Sequence, residues 1–253
     1  MSDLLSASYR GLDPLIRFNG EFDSGSLHEF DGALASVAPA IPLAAMFSAA
    51  IFDRSRPQTL AAALDRMWPV WDESGVAIWS AWVVEGDEQA EAIAAGRGMS
   101  VGIAARAMGA ELSEIDLTGP TNGVVERWDM RVAAALNERA YGLPPGLFGA
   151  VAAAERPDGA RCFISHEGER PVAMTISFPS GKDCSIGWVA ADPTFQGKGH
   201  ARAAMTAALV GAREDGFVTT TLQASKAGVP LYLALGYRDL RSAINLWQYA
   251  RGA

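Results

Sequence analysis

Apolar positions recur along this chain in two rhythms that alternate. From Gln58 to Asp72, the residues Leu60, Leu64, Met67, Trp68 and Trp71 fall on one face of a 3.6-residue period, which predicts an amphipathic helix. Gly199 to Asp215 repeats that rhythm with Ala201, Met205, Ala208, Leu209 and Ala212, and Gly216 stops it. Leu27–Val37 and Glu88–Ala95 also read as helices. Leu43–Phe52, Val76–Val84 and Met99–Ala105 read as strands between them. Farther along, a helical stretch covers Val124 to Tyr141, Pro144-Pro145 interrupts it, and a second helix runs to Ala154. Arg161–Ser165 and Pro171–Phe178 flank Glu167-Gly168-Glu169, a hairpin signal. The turn Ser180-Gly181-Lys182-Asp183 then leads into Cys184–Ala191, which gives a meander of three antiparallel strands. Phe217–Leu222 is β-rich, Pro230–Leu235 is a short helix closed by Gly236, and Tyr237–Leu240 and Ile244–Tyr249 read as two short strands.

The pattern is α/β with a mixed sheet. A cluster of turn formers, Leu117-Thr118-Gly119-Pro120-Thr121-Asn122-Gly123, marks a boundary, dividing the chain into residues 1–120 and 121–253. A length of 253 residues alone leaves one or two domains open.

Composition narrows the classes. Hydrophobic residues make up 49% and charged residues 20%, which supplies ample core and argues against disorder. The formal net charge is -8 with no basic run, so neither nucleic acid nor anionic lipid is an expected partner. Gly32 to Phe52 carries no charge and is long enough to span a bilayer, but Pro39 and Pro42 break it and Asp31 and Asp53 flank it. The N-terminus has no basic region followed by an apolar stretch, and the expectation is a soluble cytoplasmic protein without a membrane partner. Two cysteines, Cys162 and Cys184, fall on non-neighbouring strands of the meander, so no disulfide is expected. Three scattered histidines, His28, His166 and His200, show no metal-ligand spacing.

One segment carries chemistry. Val189-Ala190-Ala191-Asp192-Pro193-Thr194-Phe195-Gln196-Gly197-Lys198-Gly199-His200-Ala201 runs from a strand through a glycine-bearing loop into a long helix. Gly197 and Gly199 permit a sharp turn and close approach of backbone to a ligand. Unpartnered N–H groups and the helix dipole meet there, forming a place for phosphate or pyrophosphate. Lys198 and Arg202 add local positive charge. The alternative is an ordinary glycine-rich turn before a helix. The segment lacks the Gly-Lys-Ser/Thr ending of nucleotide triphosphatases and the third glycine of a dinucleotide fold.

Gln196-Gly197-Lys198-Gly199-His200-Ala201 resembles the Gln/Arg-x-x-Gly-x-Gly/Ala signature of the GNAT superfamily of N-acetyltransferases. Val189-x-Ala191-x-Pro193 looks like that family's strand-to-loop entry, with Ala191 where valine is usual. Pro230-Leu231-Tyr232-Leu233-Ala234-Leu235-Gly236-Tyr237 resembles its second hallmark, Leu-Tyr-x-x-Leu-Gly-Phe/Tyr. The resemblance covers roughly Asp129 to Tyr249. It implies a strand that splays from its neighbour, with the pantetheine arm of acetyl-CoA pairing on Val189 and Ala191 in the gap. It implies a bulge near Ala190 that aims an N–H at the thioester carbonyl. The pyrophosphate falls on the amides of Gly197, Lys198, Gly199, His200 and Ala201, with Gln196 and Arg202 beside them. Ser225 stands where the family often has asparagine, as a further cofactor contact.

The resemblance makes Tyr232 the acid that protonates the departing thiolate; the other reading is a core tyrosine beside Leu231 and Leu235. No acidic residue stands out as base on Cys184–Ala191. Asp192 lies at its end and either serves or caps the loop; a water chain or a residue of the first domain are the alternatives. His200 is a phosphate contact or a solvated position rather than an acid–base group, and Cys184 a small buried hydrophobe. Residues 1–120 repeat the order of the latter half of the same fold, but Asp53-Arg54-Ser55-Arg56-Pro57 stands where the glycines belong. This makes the first half a degenerate GNAT-like domain unsuited to CoA. Its tryptophans, Trp68, Trp71, Trp79 and Trp82, are core or the wall of a substrate cleft. The expected activity is acetyl transfer from acetyl-CoA to a primary amine of a small molecule or peptide, by direct attack and without metal. A non-catalytic acyl-CoA-binding sensor or interaction module is the alternative, and a homodimer is left open.

Overall fold

The computed structural model describes residues 2–252. In chain order the elements are α1 (Ser2–Arg10), α2 (Leu12–Gly20), β1 (Ser26–Phe30), β2 (Ala33–Val37), β3 (Ala49–Phe52), α3 (Gln58–Glu73), β4 (Ile78–Val84), α4 (Glu88–Ala95) and β5 (Ser100–Glu111). There follow β6 (Val124–Glu126), α5 (Met130–Tyr141), β7 (Arg161–Glu167), β8 (Arg170–Ser180), β9 (Asp183–Ala191), α6 (His200–Glu214), β10 (Thr219–Ala224), α7 (Val229–Leu235) and β11 (Arg238–Ala250).

Several boundaries follow from caps. Asp87 accepts the Ala90 amide at 3.3 Å to start α4, and Asp129 accepts that of Val132 at 3.2 Å to start α5. That cap splits the expected helix 124–141 into a short strand and then α5. Residues 27–37 are a hairpin rather than a helix. Asp31-Gly32 turns the chain with Gly32 at φ +75, a backbone state that most other residues resist. Only Ala49–Phe52 of the expected strand 43–52 is extended. The helix expected to end at Ala154 is a 3-10 turn, Gly149–Ala153. The last two strands are one strand, β11, with Arg241 at φ 57 within it.

The chain forms two compact units, each built from two separate stretches. One unit takes residues 2–11 with Ala107–Leu240, the other Leu12–Arg106 with residues 241–252. This differs from a division at residue 120: the turn cluster 117–123 lies inside the first of these units, since turn formers mark reversals of the chain whether or not a domain ends there.

In the unit that includes 107–240, the strand order is β5-β10-β9-β8-β7-β6. β6 to β9 run antiparallel as a meander, and β9 and β10 are parallel, joined across the sheet by α6. α6 and α7 cover one face, where Met205, Leu209, Leu235, Cys184, Ile186 and Leu222 pack. On this unit α1 lies against β10: Ser8 Oγ donates to the Leu222 carbonyl at 3.4 Å, and the Gln223 amide donates to the Ser8 carbonyl at 2.8 Å. Ser185 Oγ donates to the carbonyl of Gly11 at 3.1 Å.

The other unit orders its strands β1-β2-β3-β4-β11. β1 to β3 are antiparallel, α3 crosses to β4 parallel to β3, and β11 returns antiparallel along Ile78–Val84. Trp71 and Trp79 are fully buried and stacked at 5.9 Å, and Trp71 Nε1 donates to the Ser36 carbonyl at 2.9 Å. Trp82 is buried too, so three of the four indoles are core, while the half-buried Trp68 packs on Trp79 at 5.1 Å. Each unit is thus a mixed sheet with flanking helices. Residues 32–52 hold β2, turns and β3, and among the described residues no helix is long and apolar enough to cross a membrane.

Candidate functional site

Parallel pairing of β9 with β10 runs from Asp183–Thr219 to Ile186–Leu222 and ends there. Beyond Ile186, β9 continues to Ala191, held only by β8 on its other side. The two strands therefore part toward their carboxyl ends, and the backbone of residues 187–191 faces the gap. Within that stretch the β8 register slips between Met174 and Ile176, so that Trp188 and Val189 together oppose Thr175. Trp188 takes φ +51, a left-handed state that costs a non-glycine residue roughly 1–2 kcal/mol. The bulge thus falls at Trp188–Val189, just before the expected Ala190. Ala190 is buried, and Val189 and Ala191 are half-buried.

Asp192 closes the strand. Its Oδ1 accepts the Thr194 amide at 3.0 Å and the Thr194 hydroxyl at 2.7 Å, while Oδ2 accepts Arg139 at 3.1 Å and Arg170 at 2.9 Å. The Thr194 hydroxyl and amide, and then Arg170, hold its carboxyl down to about 2. Asp192 is a buried pin for the loop, not a proton acceptor at neutral pH. After a 3-10 turn, Pro193–Phe195, Gln196 is exposed and extended. Gly197 and Gly199 follow at φ +77 and +86, and a Cβ at either would meet nothing within 4 Å. The first α6 bond runs from the Ala203 amide to the Gly199 carbonyl at 2.9 Å, so the amides of His200, Ala201 and Arg202 precede the helical ladder. These observations test the fit of a pyrophosphate: a cradle free of side chains, lined by helix-start amides, suits it.

The side chains expected to help are mostly engaged within the fold. His200 Nδ1 is 3.0 Å from Ser165 Oγ and its Nε2 3.3 Å from Glu167, which ties the first turn of α6 to β7. Arg202 donates to the Ala234 carbonyl at 3.1 Å and to Asp116 at 2.7 Å. Lys198 sits over the Phe195 ring at 4.6 Å, with Arg170 at 5.0 Å from the same ring. Ser225 Oγ accepts the Gly228 amide at 3.3 Å at the entry to α7.

Tyr232 lies on α7, 7% exposed, its ring within 2.8 Å of a Cβ placed on Gly228. Burial raises its phenol well above the usual range, so it holds its proton at neutral pH. Tyr237, by contrast, is wholly core, with its hydroxyl 2.8 Å from Thr220 Oγ1. Gly236 turns the chain between them at φ +104, where a Cβ would stand 3.1 Å from the Glu114 carbonyl. Cys162 and Cys184 are buried and free, and burial pushes both thiols up to about 12, which removes them as nucleophiles. Sequence reasoning did not connect Tyr141, at the end of α5, with Tyr232, whose phenol is raised first by burial and then by Tyr141. Nothing in the local pattern around Tyr141 links it to a helix ninety residues later.

The matching position in the other unit is differently made. Ahead of α3, Asp53 accepts the Ser55 amide at 3.0 Å and Arg56 Nε at 2.9 Å, and Arg56 also binds Asp31 at 3.1 Å. The Ser55 hydroxyl and Arg56 hold Asp53 down to about 2. A fixed carboxylate thus stands at that helix start, where an incoming phosphate would meet like charge.

Residues 127–237 match the family model described as the acetyltransferase (GNAT) family. A GCN5-related N-acetyltransferase from Kribbella flavida superposes with TM-score 0.68 at 15% identity, covering 97% of this chain and 96% of that one. The chain has the GNAT acetyltransferase fold. A putative GNAT acetyltransferase from Novosphingobium aromaticivorans gives TM-score 0.56 at 15% identity, covering 96% of each chain. A tandem GNAT protein from the clavulanic acid biosynthesis pathway gives 0.59 at 12% identity, covering 100% of this chain and 96% of that one. No curated protein matches the sequence. The GNAT match falls within the unit that carries the parted strands and the glycine loop, and the GNAT-type mixed sheet with flanking helices is present in both domain-sized halves.

Proposed function

We propose that this chain is an acetyl-CoA-dependent N-acetyltransferase that acts in the cytoplasm on a primary amine of a small molecule or peptide. The proposal includes a tandem arrangement in which only the unit with residues 107–240 holds the cofactor. The observation that carries it is the parting of β9 from β10 after Ile186–Leu222, with the bulge at Trp188 and the open cradle at Gly197 and Gly199 directly after it. Two free buried cysteines suit a reducing compartment.

On this reading the backbone of Val189, Ala190 and Ala191 pairs with the pantetheine arm as an added strand would. The amides from Gly197 to Arg202 hold the pyrophosphate, and Gln196 and Ser225 line its path. His200 and Arg202 act through their backbone, while their side chains fix α6 against β7 and α7. Acetyl-CoA supplies the acyl group: the acceptor nitrogen bonds to the thioester carbon, the carbon–sulfur bond breaks, and sulfur leaves as thiolate. The bulge amide stabilises the charge that grows on the carbonyl oxygen. Tyr232 gives its proton to the thiolate, and the nitrogen loses its own to solvent.

Asp192 and Glu138 are both committed to structural hydrogen bonds, so neither stands ready as a base, which supports the rival reading, a non-catalytic acyl-CoA-binding module. Thermal shift and thiol release together test the two. At a hundredfold excess over Kd, acetyl-CoA stabilises by about 2.7 kcal/mol. That raises Tm by roughly 5–10 °C for a protein of this size. No shift at millimolar ligand overturns both readings. A shift without thiol release on a broad amine panel favours the module. With release, Tyr232→Phe is expected to lower kcat about 100-fold or more while the shift persists.

A further inference from the structure

Where β10 leaves β9, the first residue beyond the pairing is Gln223, since the parallel register ends at Ile186–Leu222. In that register it falls level with Gly187, one residue short of the bulge at Trp188–Val189. Side chains alternate across a strand. With Leu222 in the core beneath α6 and α7, the Gln223 side chain leaves on the opposite face, where α1 lies. There it is locked. Its Nε2 donates to the Ser8 carbonyl at 2.8 Å and to Ser8 Oγ at 3.1 Å. A carbonyl oxygen only accepts, so these bonds settle which end of the carboxamide is nitrogen. The mount is itself anchored on both strands. Ser8 Oγ donates to the Leu222 carbonyl of β10 at 3.4 Å, and Ser185 Oγ of β9 donates to the Gly11 carbonyl at 3.1 Å.

Both amide hydrogens of Gln223 are thereby used, and among the described residues no donor meets Oε1. The side chain is half-buried, yet that oxygen is open to solvent. It is one acceptor, beside the start of the gap, with its orientation set before anything binds. We propose that Gln223 is a catalytic residue of the transfer: Oε1 accepts an N–H of the attacking amine and holds that nitrogen for addition to the thioester carbon. This rests on the acetyl-transfer reading. Nitrogen bonds to carbon, the carbon–sulfur bond breaks, and the proton shed by nitrogen goes to solvent; Oε1 takes a hydrogen bond and no proton. A neutral carboxamide oxygen orients the amine without favouring its charged form as strongly as a carboxylate would. The amine then lies on the α1 face and Tyr232 on the α7 face, so the acid that serves the thiolate is kept from the nucleophile.

The test uses the full chain and thiol release from acetyl-CoA with butylamine, phenethylamine, spermidine and glucosamine; the best of the four is carried through the variants. Gln223→Leu removes both ends of the carboxamide, whereas Gln223→Lys keeps donors for Ser8 and removes only the acceptor. Both are expected to lower kcat/KM for the amine about 30-fold, with KM for acetyl-CoA and its thermal shift unchanged. If Gln223→Leu fails to fold, Gln223→Lys decides alone. Unchanged turnover in Gln223→Lys overturns the proposal, because the oxygen is then not used. Loss of the acetyl-CoA shift together with turnover in Gln223→Lys also overturns it, because Gln223 then only braces the parting strands. Wild-type protein that gives no shift, or a shift without thiol release from any of the four amines, strikes the acetyl-transfer reading instead, and the role of Gln223 falls with it.

Discussion

Asp192 shows how one residue's environment decides between roles that its position leaves open. At the end of a strand beside the proposed thioester it has the place of a base, but two arginines with the hydroxyl and amide of Thr194 take its acceptor capacity. The same bonds make it a pH-sensitive element of stability. Its folded value near 2 lies below the unfolded reference of about 3.9, so its contribution is full above roughly pH 5 and is lost as pH falls through the folded value. Asp192→Asn is therefore expected to lower Tm at pH 7, by an amount corresponding to roughly 1–3 kcal/mol. The gap between wild type and variant should then close between pH 4 and 2. Thermal melts at half-unit pH steps check this, and a gap that stays constant to pH 2 removes the ionised carboxylate from the explanation. Nothing in the sequence around Asp192 announces its arginine partners, because Arg139 and Arg170 come from α5 and the start of β8.

At the scale of elements, legibility followed the strength of local signals. α4 stands where the sequence places it, since Asp87 caps it and Ala-rich turns continue it. The meander β7–β9 and the helix α6 were equally readable, because tight turns and glycines punctuate them. The bulge and the parting of β9 from β10 entered the reading only as what the family resemblance implies, because both depend on where a neighbour stops pairing. The hairpin β1–β2 failed for a definite reason. Its alanines and leucines satisfy a helical period as well as a two-residue one, and the Asp31-Gly32 turn decides between them. The cradle at the start of α6 is likewise a property of the element. Gly199→Asp puts a carboxylate and a side chain into the open space ahead of the helix, in a left-handed conformation that an L-residue adopts at a cost of roughly 1–2 kcal/mol. The variant is expected to melt within a few degrees of wild type and to show no stabilisation by acetyl-CoA. A retained shift places the pyrophosphate elsewhere.

At the scale of the molecule, the chain does not fold as one half after the other. The unit that bears the glycine loop borrows α1 from the start of the chain, and the final ten residues of β11 belong to the other unit, where Ile244–Ala250 pair with Val84–Ile78. Local pattern cannot reveal such an exchange, because a strand's rhythm does not say which sheet receives it. The consequence is testable on a fragment. Residues 121–253 contain both motifs of the family, yet they lack α1, whose Ser8 bonds Leu222 and Gln223, and β5, the neighbour of β10. They also carry residues 241–250 without β4 to pair with, an exposed edge of the kind that promotes association. The fragment is expected to show no cooperative thermal transition and no stabilisation by acetyl-CoA, while the full chain shows both. Circular dichroism melts with and without ligand read the difference. A fragment that melts cooperatively and responds to acetyl-CoA means that the exchange of segments is dispensable, and that residues 121–253 suffice for the cofactor site.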